Sequence, residues 1–181
     1  MIENNIYHIY NRGNNKENIF FEEKNYQFFL QRFRYYLGSL VKVYAYCLMP
    51  NHFHVLIEIK KDVESIELRT SEKALSPLEK AFKGFFMSYS KAINKAYNRT
   101  GSLFQKKFKR KIIHDAHYIN NIVAYIHLNP VRAGLARSAE LWPYSSYRYF
   151  GGEQNNMLNI DKNEVFGWFN GKDNFIEFHK T

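Results

Sequence analysis

The chain has 181 residues, with 26 Lys and Arg against 17 Asp and Glu, a formal net charge of +9 and a pI near 9.5. This length predicts one domain with a real core, and the single cysteine, Cys47, excludes an intrachain disulfide and a cysteine-based zinc cluster. No signal-peptide pattern or bilayer-length apolar run occurs, so we expect a soluble, cytoplasmic protein. Basic charge with 18% aromatic residues suits single-stranded nucleic acid, although many of the rings must belong to the core.

The first third of the chain predicts strands around one helix. Residues 7–13 alternate rings and polar groups and stop at a Gly-Asn-Asn turn, which predicts a strand. Residues 22–37 have apolar side chains at helical spacing and acids in the first turn, which predicts a helix. Residues 41–50 and 51–59 predict two more strands. The residues that join them form either a tight hairpin or a bend within one long strand.

The middle of the chain begins with a charged, non-periodic stretch, residues 60–75, which predicts a loop. Ser76 as N-cap, with Pro77 at the first position and Glu79 at the third, then predicts the start of a helix that runs to about Tyr97. The inward residues of this helix are expected to be Leu78, Phe82, Phe85, Phe86 and Tyr89.

The last part of the chain completes the predicted fold. Residues 102–114 predict a strongly basic strand, and Asp115 is expected to cap a helix over residues 116–128 that the following Asn-Pro pair breaks. The element order predicts an α+β fold, a ferredoxin-like antiparallel sheet with helices packed on one face. We expect residues 1–150 to form this domain and residues 151–181 a C-terminal tail with short helices.

The third predicted strand carries two histidines, His52 and His54. Because strand side chains alternate, both imidazoles point to one face while Phe53 and Val55 point to the other. The pattern has two interpretations. The histidines are either a chance pair at the margin of the sheet or part of a metal site that takes further ligands from elsewhere in the chain.

The last predicted helix carries Tyr125 and Asn129 four residues apart, on one face, with Tyr118 on roughly the same stripe. A tyrosine presented to a histidine pair suits DNA cleavage, because a phenolate can attack a backbone phosphorus and become a covalent phosphotyrosine. A divalent ion held by His52, His54 and Asn129 would polarise that phosphate. Mg²⁺ or Mn²⁺ would suit such a site.

Four segments occur in an order typical of one family: YHIYNRGNNKENIFF, YCLMPNHFHVLIE, RTGSLFQKKFK and YIHLNPVRAGL. Together they closely resemble the single-tyrosine HUH transposases of the IS200-like superfamily, most of all the REP-associated tyrosine transposases. The resemblance covers about residues 6–149. It implies a ferredoxin-like sheet and an enzyme that cuts single-stranded DNA next to a hairpin, leaving a 5′-phosphotyrosine and a free 3′-OH.

Transferred by motif, the resemblance implies roles for four residues. His52 and His54 match the metal-binding HUH pair, Tyr125 matches the nucleophile, and Asn129 matches the position that completes the metal site. Related transposases often carry Gln at that last position, and a neutral Asn oxygen is a weaker ligand than a carboxylate.

Each assignment has a structural alternative. Tyr125 could be a packing residue, with Tyr118 as the nucleophile instead. Asn129 could be the C-terminal cap of its helix before Pro130. His127 lies two residues from Tyr125, faces away from it and is not assigned to the site.

Phosphate contacts are expected from six cations: Arg12, Lys106, Lys107, Lys109, Arg110 and Lys111. Alternation would place Lys107, Lys109 and Lys111 on one face of the basic strand, with Phe108 and Arg110 on the other. The lysines could instead form a solvated strand edge that discourages aggregation, and Arg12 could cap its loop.

The sequence therefore predicts a metal-dependent transposase that nicks and rejoins hairpin-containing single-stranded DNA. The alternative is a domesticated protein that binds hairpin DNA without cutting it. A relaxase or replication nickase would need accessory domains that this length cannot hold. The sequence leaves open whether the protein is a monomer or a homodimer.

Overall fold

The computed structural model describes residues 1–61, 75–115 and 118–180. In these ranges, four strands form an antiparallel sheet in the order β2-β3-β1-β4. The strands are β1 (Ile6–Arg12), β2 (Val41–Met49), β3 (His52–Ile59) and β4 (Lys109–Ile113). The helices are α1 (Glu23–Leu37), α2 (Pro77–Ala96), α3 (Ile119–Arg132), α4 (Tyr147–Gly151), α5 (Lys162–Trp168) and α6 (Lys172–Phe178). The predicted α+β class with a ferredoxin-like sheet is confirmed.

Strands β2 and β3 form a tight hairpin. Met49 pairs with His52, which leaves Pro50 and Asn51 as the turn. Of the two arrangements that the sequence allowed, the structure has the hairpin. The turn sets the register of β3 and therefore the face to which its histidines point.

Helices α1 and α2 pack side by side on one face of the sheet. Helix α2 begins as predicted, because the Ser76 hydroxyl accepts the Glu79 backbone N–H and the Glu79 carboxylate accepts the Ser76 backbone N–H. Phe29 of α1 contacts Phe53 of β3 and Phe85 of α2, with ring centroids 5.0 and 4.9 Å apart. This aromatic layer is the core beneath the two helices.

Helix α3 lies over the opposite face of the sheet. Its Tyr125 contacts His54, which alternates along β3 with the inward Phe53. The prediction that the helices pack on one face of the sheet is thus correct for α1 and α2. Helix α3 instead covers the opposite face, which carries the histidines. The fold leaves this second face for the candidate site.

The predicted break of the third helix at residues 129–130 is wrong, since α3 continues to Arg132 with Pro130 inside it. Proline removes one backbone donor, but near the end of a helix few bonds remain to be lost. The Ala133 N–H still donates to the Asn129 carbonyl, and Gly134, at a φ of +69°, follows the helix end. Residues 116–117, where this helix was predicted to begin, lie outside the described residues.

The predicted basic strand over residues 102–114 is too long, because only Lys109–Ile113 pair in the sheet. The preceding segment crosses the end of β1 instead: the Gln105 N–H donates to the Arg12 carbonyl, and Phe104 forms an isolated bridge with Gly13. Most of the loop predicted over residues 60–75 lies in the undescribed residues 62–74.

The tail contains the two short helices that its sequence pattern predicted, α5 and α6. Their buried residues Val165 and Phe175 belong to the same hydrophobic core as the sheet. The domain boundary at residue 150 stays a prediction. None of the helices in the described ranges is long and apolar enough to cross a membrane.

Candidate functional site

The sheet face beneath α3 gathers polar side chains from neighbouring strands. Arg12 lies opposite His52, and Tyr10 lies opposite His54, in the pairing of β1 with β3. Lys109 of β4 lies opposite Tyr10 on the other side of β1. Residues directly opposite each other share a face of the sheet, so these five side chains form one surface.

The His52 ring is oriented by the hairpin turn. Its Nδ1 lies 2.6 Å from Asn51 Oδ1, and Asn51 Nδ2 donates to the Lys16 carbonyl at 3.1 Å. Because the amide oxygen only accepts, His52 Nδ1 must carry the proton and donate. Nε2 of His52 therefore keeps a free lone pair, the state in which an imidazole binds a metal ion.

The His54 ring is oriented by a residue that sequence analysis did not assign to the site. Nδ1 of His54 lies 2.9 Å from Nε2 of the buried His8. When His54 donates to His8, Nε2 of His54 is free in the same way as that of His52. The sequence does indicate that His8 shares a strand face with Tyr10 and Arg12, because these residues alternate along the first strand. It does not indicate which strand lies next to the first one, so the contact between His8 and His54 could not be predicted.

Burial keeps these imidazoles neutral. It lowers the pKa of His8 and of His52 to about 4, with smaller effects from Lys111 and Arg12 respectively. It lowers the pKa of His54 to about 2, with help from the two neighbouring histidines. At neutral pH all three rings are uncharged, as metal coordination requires.

Tyr125 packs against this histidine surface. Its ring centroid lies 5.6 Å from that of His54 and 6.0 Å from that of His8. The guanidinium carbon of the exposed Arg132, two helical turns further along α3, lies 5.4 Å from the ring centre. Arg132 was not predicted as a site residue, although its spacing of seven from Tyr125 places both on one helix face.

Tyr118, the alternative nucleophile, lies at the start of α3 and is 44% exposed. Its ring lies 5.7 Å from Lys111 Nζ. Within the described residues it has no ring contact with His52 or His54. The geometry thus favours Tyr125 over Tyr118 as the tyrosine presented to the histidines.

Asn129 is buried within α3 and does not cap it. Its Nδ2 donates to the Tyr125 carbonyl at 2.8 Å, which leaves Oδ1 available as an acceptor. The predicted alternative, a C-terminal cap before Pro130, is therefore wrong. In the described part of the chain, Asn129 has no hydrogen bond to His52 or His54.

The donor set fits a weakly held divalent ion. Within the described ranges, no group of three His, Cys, Asp or Glu side chains could hold a metal ion. Two neutral imidazole nitrogens, from His52 and His54, are present, and among the described residues an amide oxygen such as that of Asn129 would supply the third protein ligand. Two nitrogens and one neutral oxygen leave coordination positions for phosphate and water, as a catalytic ion needs.

The predicted DNA-binding cations divide between the two faces of the sheet. Those on the histidine face are Arg12, Lys109 and Lys111. Those that line a cavity on the opposite face are Lys106, Lys107 and Arg110. Lys107 thus lies with Arg110, contrary to the predicted alternation, because it precedes β4 and the strand pleat does not direct it.

Comparison with known proteins identifies related transposases and a shared fold. A protein of Haemophilus influenzae named as a REP-associated tyrosine transposase is 27% identical over 106 residues, which span 57% of each of the two chains. The solved structure of a REP-associated tyrosine transposase bound to a REP hairpin covers 88% of this chain and 87% of its own, with a TM-score of 0.63. At 14% identity this second match shows a shared fold.

The family comparison covers most of the chain. Residues 1–129 match the model of the family described as Transposase IS200 like. The resemblance inferred from the four sequence segments is thereby confirmed, and the protein belongs to the IS200-like transposase family.

Proposed function

We propose that this protein is a metal-dependent transposase that binds hairpin-containing single-stranded DNA, cleaves it through a covalent phosphotyrosine and rejoins the strands. The observation that carries the proposal is the packing of the Tyr125 ring against His54 and His8 on a sheet face lined with cations. This packing supports the proposal, because it brings the proposed nucleophile next to the proposed metal ligands.

In the proposed reaction, Tyr125 Oη loses its proton and attacks the scissile phosphorus. A bond forms between this oxygen and phosphorus, the bond from phosphorus to the 3′ oxygen breaks, and the 3′ oxygen takes up a proton. The products are a 5′-phosphotyrosine and a free 3′-OH. Attack of a 3′-OH on the phosphotyrosine reverses these steps and rejoins a strand.

The surrounding residues would bind and orient the phosphate. Arg12 lies opposite His52, and its Nε is buried without a hydrogen-bond partner among the described residues, which suits an incoming phosphate oxygen. A divalent ion, Mg²⁺ or Mn²⁺, held by His52, His54 and Asn129 would polarise the scissile phosphate. Arg132 beside the Tyr125 ring would attract the negative charge of the attacking oxygen or of the phosphate.

Hairpin DNA is proposed as the substrate because the related solved structure contains a REP hairpin and this chain shares its fold. The excess of cations over acids suits a nucleic acid. With DNA as its substrate, the protein would act in the cytoplasm. It would do so as a monomer or a homodimer.

The test is a denaturing gel of labelled hairpin-containing single-stranded DNA incubated with Mn²⁺ or Mg²⁺ and the wild type, Tyr125→Phe or Tyr118→Phe. We expect a shifted covalent band with the wild type and Tyr118→Phe, and none with Tyr125→Phe. A band that persists in Tyr125→Phe and disappears in Tyr118→Phe would move the nucleophile to Tyr118. Tight hairpin binding without a band in any variant would favour the non-cleaving alternative.

A further inference from the structure

A second basic surface lies on the sheet face away from the histidines. There a cavity of about 690 Å³ opens between α2, the segment before β4 and β4 itself. Its apolar lining includes four rings, Phe82, Phe86, Phe104 and Phe108. We name this cavity the aromatic groove. Its volume lies in the range of about 300–1,000 Å³ that is usual for small-ligand sites.

The rings of the aromatic groove are stacked and only partly covered. Phe108 packs on Phe82 and Phe86 with centroid distances of 4.9 and 5.4 Å and interplanar angles of 24° and 26°. Phe86 and Phe108 are half-buried, and the neighbouring Met87 is 61% exposed. A flat ring entering the groove would therefore meet ring surface that is already aligned for stacking.

Cations surround these rings with little opposing charge. They are Lys83, Lys106, Lys107 and Arg110, all exposed. Among the described residues none of the four forms an ion pair, and Glu79 is the only acid that lines the groove. The Glu79 carboxylate already accepts the Ser76 N–H at the start of α2. This hydrogen bond and, to a smaller extent, the Arg110 charge lower the pKa of Glu79, so this acid offsets part of the positive charge. With four cations against one acid, the groove still presents net positive charge around a stacking surface.

The groove is connected to the candidate site by the edge strand β4. Lys109 and Lys111 point to the histidine face, whereas Arg110 between them lines the groove. Since β4 is the outer strand of the sheet, a polyanion that leaves Tyr125 can pass around this edge with cations on both sides.

We propose that the aromatic groove binds unpaired nucleotides of the DNA strand that flanks the hairpin, with bases stacked on Phe86 and Phe108 and phosphates on Lys107 and Arg110. This inference rests on the proposed function, since it assumes a single-stranded DNA substrate. The combination of rings with unpaired cations matches the two chemical features of single-stranded nucleic acid, aromatic bases and phosphates. It gives two of the predicted DNA-binding cations, Lys107 and Arg110, a role separate from the cleavage site.

The test measures equilibrium binding of two labelled DNAs by fluorescence anisotropy, in a Tyr125→Phe background that prevents turnover. One DNA is a blunt hairpin and the other is the same hairpin with a single-stranded flank. The groove variant is Lys107→Glu with Arg110→Glu. The matched control is Lys91→Glu with Lys95→Glu, because these lysines are exposed on α2 and do not line the groove.

We expect the groove variant to weaken binding of the flanked hairpin about tenfold or more and to leave the blunt hairpin within about twofold. The control variant should not change the difference between the two DNAs. In addition, 2-aminopurine placed in the flank should lose fluorescence when bound by the parent protein and recover it with Phe108→Leu, since stacking quenches this base.

Equal weakening of both DNAs would overturn the inference, because the cations would then contact the duplex. Unchanged affinity for both DNAs would also overturn it. A change in molecular mass by light scattering with unchanged DNA affinity would assign the groove to a second copy of the chain. If the groove binds the flank but the wild type forms no covalent band, the cleavage function is rejected and this inference is kept. Failure of the proposed function can therefore be distinguished from failure of the groove inference.

Discussion

Nε2 of His8 lies 2.9 Å from Nδ1 of His54 and joins β1 to β3 on the face that Tyr125 covers. The pair orients the His54 imidazole through a second imidazole from a residue 46 positions away in the sequence. Partners of this kind set the tautomer of a metal-binding histidine and the direction of its free nitrogen. His8 is thus a positioning residue for the proposed metal site.

Replacing His8 by alanine should weaken Mn²⁺ binding about 10- to 100-fold, because His54 loses the partner that orients it. The measurement is the free Mn²⁺ signal in electron paramagnetic resonance, which does not depend on cleavage. His8→Gln keeps an acceptor near the position of Nε2 and should recover part of the affinity. His114→Ala, at an exposed imidazole, is the control. Unchanged Mn²⁺ affinity in His8→Ala would show that His54 needs no such partner.

Replacing Arg132 by alanine should slow formation of the covalent band about five- to tenfold, because a cation near the Tyr125 ring is lost. The melting temperature should hardly change, since Arg132 is exposed. Single-turnover cleavage with saturating DNA measures the rate. Arg132→Lys should retain part of it, and Arg137→Ala, at an exposed arginine beyond the helix, should match the wild type. An unchanged rate in Arg132→Ala would leave that residue outside the reaction.

A second set of buried imidazoles connects the C-terminal helix to α3. Nδ1 of His179 donates to the Phe175 carbonyl at 2.7 Å, so its Nε2 accepts from His127 Nδ1 at 2.9 Å. Nε2 of His127 in turn lies 2.8 Å from the Ser146 hydroxyl. The histidine that the sequence placed away from Tyr125 therefore has a structural role.

Protonation of His179 should lower stability in mild acid, in addition to the loss from the other buried histidines, whose pKa values are also lowered by burial. Burial lowers its pKa to about 4, below the value near 6.5 of the unfolded chain, so folding favours the neutral ring. The contribution of neutral His179 to the free energy of unfolding is complete above pH 6.5 and is lost as the pH falls from 6.5 towards 4. By pH 5 this loss lowers the free energy of unfolding by about 2 kcal/mol. Thermal unfolding at pH 7.5 and pH 5 measures this loss.

The variant His179→Gln cannot titrate but keeps an acceptor for His127. It should melt below the wild type at pH 7.5 and show a smaller decrease between pH 7.5 and pH 5. His114→Gln should follow the wild type, because His114 is exposed. An equally steep decrease in His179→Gln would assign the acid sensitivity to other buried histidines.

Replacing Phe85 by alanine should destabilise the fold by about 3–5 kcal/mol. The Phe85 ring is fully buried between α1 and α2 and packs edge-on against Phe29 and Phe33, so its loss leaves a cavity in the aromatic layer. Urea unfolding measures the change. Tyr35→Ala, at a tyrosine that is 74% exposed, should stay within about 0.5 kcal/mol of the wild type.

Local patterns in the sequence predicted several features correctly. The alternation of β3 placed His52 and His54 on one face, and the Ser76 cap located the start of α2, because both patterns depend only on neighbouring residues. The prediction that Pro130 ends α3 is wrong because proline disrupts mainly the interior of a helix, whereas Pro130 lies in the last turn of α3.

The sequence by itself determined which side chains share a strand or helix face, and its four segments indicated the family. Only the tertiary structure decided that His8 meets His54 and that Arg110 lines a groove away from Tyr125. The physical reason is that periodicity acts within a few residues along the chain. The pairing of β1 with β3 and β4 instead depends on how the whole chain buries its apolar faces.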